Sequence, residues 1–162
     1  MIPRDVVKFF QNTFDVDISD VEVSYEGDFY DCSGFYEHYS HRINISKKLE
    51  QEHRLKTLTI VHELAHVMQF EHNKSICLNL SDFVTAEDYA MADVGIVWYE
   101  RALEIDADIT ALYFFFKKYG DIRNLIKLKF LKVEDYEHLA ERINSIRIDN
   151  SFKNVIIDTL LV

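Results

Sequence analysis

At 162 residues and 48% hydrophobic, the chain is long enough to bury one core and fits a single domain, with little room for a hinge between domains. A net charge of −10 argues against non-specific nucleic-acid binding, which needs clustered Lys and Arg, and no nucleic-acid partner is expected. No run of 18 uncharged apolar residues occurs and the first residues lack the layout of a secretion signal, so the expectation is a cytoplasmic protein with no membrane span.

In chain order, residues 3–13 predict a helix with Val6, Val7, Phe9, Phe10 and Phe14 on its apolar side. Val21–Tyr25 alternates and predicts a strand. Phe29–Glu37 and Arg42–Ser46 predict two more, joined around His38-Tyr39-Ser40-His41. His38 and His41 read as surface histidines of that turn rather than extra metal ligands. Cys32 and Cys77 lie 45 apart in no CxxC, which reads as two free thiols.

The apolar run from Leu58 to Phe70 contains His62-Glu63-Leu64-Ala65-His66, an H-E-x-x-H motif. On a helix, imidazoles four residues apart point the same way and can grip one metal ion, with Glu63 beside its open position. Chance supplies this pentapeptide about 0.02 times in a chain of this composition, so coincidence is a poor explanation. The competing reading is a buried helix whose histidines are satisfied by hydrogen bonds.

Residues 73–95 form the least regular stretch, with Thr85-Ala86-Glu87-Asp88 resembling a capping box, and an insertion there could overhang a cleft. A second helix follows around residues 99–119, with Gly120 as its stop. Glu100, Glu104 and Asp108 fall on one face of it. Like charges so spaced repel by a few tenths of a kcal/mol per pair, and a cation opposite would relieve them; a solvated acidic stripe is the plain alternative. Beyond Gly120, the basic stretch Arg123–Lys132 reads as a solvated helix flank rather than a membrane surface. Val133–Arg147 and Ser151–Leu161 predict two amphipathic helices that complete the core, the alternative being that the apolar terminus Ile156–Val162 plugs the cleft or binds a partner.

Over roughly residues 20–120 the chain resembles the gluzincin metallopeptidases, whose third ligand is a Glu on a second helix. The similarity is greatest to the branch reading E-x-x-A-D-x-x-A there: CAAX-type membrane endopeptidases, minigluzincins and, more loosely, ImmA/IrrE-type regulators. Glu104-Ile105-Asp106-Ala107-Asp108-Ile109-Thr110-Ala111 fills that pattern at every fixed position. The resemblance implies one Zn²⁺ per chain held by His62, His66 and Glu104, with Glu63 as general base activating a zinc-bound water. It implies Asp108 as acceptor for a ligand imidazole N–H. It also implies Ile43, Asn44 and Ile45 as a strand pairing with extended substrate.

An oxyanion donor besides zinc is needed, and Tyr99 is preferred over Tyr89, Tyr113, His72 and His138 for its place near the start of the ligand helix. The implied fold is α+β and zincin-like: one domain over 1–162, with a small N-terminal antiparallel or mixed sheet on a helical core, two metal-binding helices and a helical extension at 121–162. The implied function is a zinc metalloendopeptidase acting on a protein or peptide substrate. The alternative is a catalytically silent binding module of the same fold, an antirepressor or inhibitor of a regulatory protein. Intact Glu63 favours catalysis, since zinc binding alone has no use for a carboxylate there. Substrate and oligomeric state are not legible.

Overall fold

Val6, Phe10 and Phe14 recur every four residues and form the buried face of α1 (Arg4–Phe14), with the Phe10 and Phe14 rings 4.6 Å apart. The computed structural model of the chain describes residues 4–27, 33–49, 53–76, 97–129, 143–144 and 148–160. Just past α1, Asp15 turns left-handed at φ 52, and Gln11 Oε1 accepts the Ile18 N–H at 2.8 Å. That turn reverses the chain into the sheet.

The sheet is mixed and has three strands, β1 (Glu22–Gly27), β2 (Gly34–Glu37) and β3 (Arg42–Ser46), in the order β1-β3-β2. β3 runs parallel to β1 and antiparallel to β2; Ile43 lies opposite Val23 on one side and Tyr36 on the other. A single 3₁₀ turn, His38–Ser40, and a left-handed His41 at φ 50 join β2 to β3. The strand expected at 29–37 is seen from Gly34 on; residues 28–32, with Cys32, lie outside the described residues.

The central place of β3 corrects one expectation. Ile43, Asn44 and Ile45 were read as a strand that could pair with substrate, but both their edges already carry strands. Ile43 and Ile45 are core residues at 0% and 1% exposure. Among the described residues, the outer edges of the sheet are those of β1 and β2.

A second 3₁₀ turn (Lys47–Leu49) leads from β3 to α2 (His53–His72), which packs on β2 and β3. β2 meets α2 closely at Gly34. A Cβ there would lie 2.8 Å from Thr59 Cγ2 and 2.9 Å from the Asn44 carbonyl oxygen, so only glycine fits. Asn73, left-handed at φ 47, closes α2 as an αL cap.

The last turn of α2 is tied to the β2–β3 connection through Glu71. Its Oε1 accepts the Tyr36 hydroxyl at 2.9 Å, with His38 Nδ1 at 2.8 Å and His41 Nδ1 at 3.7 Å. Burial, then the bond to Glu71 and its charge, push the Tyr36 hydroxyl well above the usual tyrosine range. The folded protein therefore holds a proton that the unfolded chain releases from about pH 10 upward. Stability from this group is full below that pH and is lost as pH rises toward the folded value. Tyr36→Phe is expected to lower the urea midpoint at pH 7 and to flatten its alkaline decline. An unchanged alkaline slope would mean that Tyr36 contributes nothing there and that Tyr25, also pushed up by burial, carries it.

The chain divides into two compact units, residues 1–73 and 74–162. The second contains α3 (Val97–Tyr119), α4 (Arg123–Lys129) and α5 (Asn150–Leu160). α3 stops at Gly120, left-handed at φ 83, whose N–H reaches the Phe116 carbonyl at 2.9 Å, as the sequence predicts. Ala107, Ile109, Ala111, Leu112 and Phe114 form its buried face.

α4 packs on α5, and the Phe152 ring sits 5.1 Å from Tyr113 and 5.4 Å from Phe116. In α4, Leu125 and Ile126 are buried while Arg123 and Asn124 are exposed, which fits a helix flank. The helix expected at 151–161 is α5. That expected at 133–147 falls outside the described residues except for helical 143–144, as do residues 77–96 with Cys77, Thr85–Asp88 and Tyr89. Among the described residues, no helix is long and apolar enough to cross a membrane. The fold is α+β, a small mixed sheet with helices.

Candidate metal centre

α2 is buried on every side between Ile60 and Gln69, as an apolar helix without a polar face must be. Into this stretch the sequence places three groups that are costly to bury unless paired: His62, Glu63 and His66, each less than a tenth exposed. One turn of helix brings their ligand atoms within 4.8 Å of one another, a group able to hold a metal ion and the one such group among the described residues.

The imidazoles face each other through their Nε2 atoms, 3.2 Å apart, with the rings edge to face. Two nitrogens bound tetrahedrally to Zn²⁺ at about 2.0–2.1 Å lie about 3.3–3.4 Å from each other. The observed separation fits that geometry with little movement.

Protonation fits as well. His66 Nδ1 lies 2.8 Å from Gln69 Oε1. A carbonyl oxygen can only accept, so Nδ1 carries the hydrogen, and in the neutral ring Nε2 keeps its lone pair. That lone pair is the one aimed at His62. Gln69 is fully buried and belongs to the same helix, three residues beyond His66. Sequence reading passed over it, although a Gln within Val67-Met68-Gln69-Phe70 is the polar exception in an apolar run and stands one turn from His66.

Outside this group, Phe70 packs 6.2 Å from His66 and 6.5 Å from His38. His38 and His41 are exposed and turn to Glu71. Neither belongs to the group able to hold a metal ion.

The remaining expected site residues are on α3, in the second unit. Glu104 is exposed and Asp108 half-buried. Asp106, between them in sequence, is fully buried and accepts the Ser75 hydroxyl at 2.5 Å. Tyr99 is in the first turn of α3; its side chain, with that of Glu100, lies outside the described residues. Of the other oxyanion candidates, Tyr113 packs against Phe152, His72 is exposed at the end of α2, and Tyr89 and His138 are outside the described residues. Compared with known proteins, the chain matches no family model, no curated protein and no solved structure.

Proposed function

We propose that the chain is a zinc-dependent metallopeptidase of the gluzincin type, hydrolysing peptide bonds of a protein substrate. The observation that carries this reading is the buried pair of imidazoles with Nε2 atoms 3.2 Å apart and the Glu63 carboxylate in the same group. A structural histidine pair has no need of a carboxylate at that place; water activation does. When bound, zinc supplies Lewis acidity toward a carbonyl and a water molecule. Glu63 takes the proton of that water and returns it to the leaving amine. His62 and His66 hold the ion, and Gln69 holds His66.

Glu104 is the proposed third ligand and Asp108 the proposed acceptor for a ligand imidazole. Their support is the E-x-x-A-D-x-x-A pattern. Tyr99 remains the proposed oxyanion donor. The zincin-like character of the α+β fold belongs to the same proposal.

The test is zinc affinity measured against a competing chelator. Glu104→Gln is expected to weaken binding by at least about 10-fold, with Glu100→Gln near wild type. The reverse order would show that Glu100 is the ligand, and no zinc bound by the wild type would overturn the proposal.

A further inference from the structure

We infer that Gln69 is a positioning residue, which sets the tautomer and ring orientation of His66 so that its Nε2 is ready for a metal ion. The inference deepens the metallopeptidase reading and rests on it for the identity of the ion, but the tautomer itself belongs to the metal-free protein. Three observations carry it. Gln69 Oε1 lies 2.8 Å from His66 Nδ1. Gln69 is at 0% exposure, so water does not compete for that bond. The other ring nitrogen of His66 faces His62 Nε2 at 3.2 Å.

An imidazole without a fixed partner divides its proton between two nitrogens and rotates about its side-chain bonds. One acceptor at Nδ1 removes both freedoms, because the ring can satisfy it in one orientation and one neutral tautomer. Helical geometry makes the arrangement cheap, since residues three apart are neighbours on one face. No loop has to order for it.

The choice of an amide over a carboxylate has its own chemical effect. A carboxylate partner pulls on the N–H and raises the basicity of the ligand nitrogen. The neutral amide orients His66 with little such pull, so a bound ion would keep more of its Lewis acidity. It also avoids burying a second negative charge on the helix that already buries Glu63. Gln69 thus positions His66 without the added basicity that a carboxylate partner would give its ligand nitrogen.

Two variants and two readouts test this on the full chain. Nitrogen-15 NMR of the metal-free protein is expected to show His66 protonated at Nδ1 in the wild type and in Gln69→Glu, and a mixture of tautomers in Gln69→Leu. Zinc titration against a chromophoric chelator is expected to show Gln69→Leu weaker by about 10–100-fold. Gln69→Glu should equal or exceed wild type, because it keeps the accepting oxygen and adds charge. The inference is overturned if wild-type His66 carries its proton on Nε2, or if a folded Gln69→Leu keeps wild-type affinity and tautomer. It is overturned equally if Gln69→Glu folds but binds zinc as weakly as Gln69→Leu. Should Gln69→Leu not fold, the wild-type tautomer and the Gln69→Glu titration decide alone. A wild type that binds no zinc while His66 is protonated at Nδ1 would sink the metallopeptidase reading and leave the orienting contact standing.

Discussion

Glu63→Gln is expected to keep the fold and the zinc while lowering peptide-bond cleavage by about 10²–10⁴-fold, the usual contribution of a positioned general base. The substitution preserves the shape of a side chain that is 6% exposed, and a neutral amide is easier to bury than a carboxylate. What it removes is the proposed acceptor for the proton of water. The measurement pairs a metal assay with a proteome-wide comparison of cleavage products from cells expressing wild type or variant. Fragments that disappear with Glu63→Gln identify substrates. Undiminished cleavage would show that Glu63 is not the base, and a cellular effect that survives without cleavage would point to the binding-module alternative.

Zinc at about a thousand times its dissociation constant is expected to raise the unfolding free energy of the wild type by about 4 kcal/mol, and that of His62→Ala by almost nothing. For a chain of this size this corresponds to a rise of about 8–16 °C in melting temperature. The effect comes from selective binding to the folded state, since the unfolded chain does not hold two Nε2 atoms 3.2 Å apart. Thermal melts with and without zinc, each variant referred to its own metal-free melt, separate this from any loss of packing at residue 62. An equal rise in both proteins would place the ion elsewhere.

Local rules made several elements legible before the structure. The four-residue recurrence of Val6, Phe10 and Phe14 marks α1, Gly120 marks the end of α3, and Arg42–Ser46 has its observed bounds. The pairing of strands was not legible. Alternation in Ile43-Asn44-Ile45 shows that one face is buried, but it has no term for which neighbours occupy the two edges, and β3 proved to be the middle strand.

At the candidate metal centre, the grouping of His62, Glu63 and His66 was legible because helical spacing is enough to bring them together. Gln69 was missed because a single polar residue in an apolar run carries no motif, and its role appears only with the position of the His66 ring. On α3, spacing marks Glu100, Glu104 and Asp108 as one acidic face. It does not show that Asp106 is fully buried, since the Ser75 hydroxyl it binds is 31 residues away in the chain.

The four-residue length of β2 limits how long a visiting strand could stay. Alternation turns two of those residues outward, enough for about two to four main-chain hydrogen bonds, each worth about 0.5–1.5 kcal/mol net. Ordering the same few residues of an incoming segment costs about 1–2 kcal/mol apiece. The cost matches or exceeds the gain. Backbone pairing on this edge would therefore give brief residence to any extended segment, and a longer stay would depend on the side chains that the segment brings.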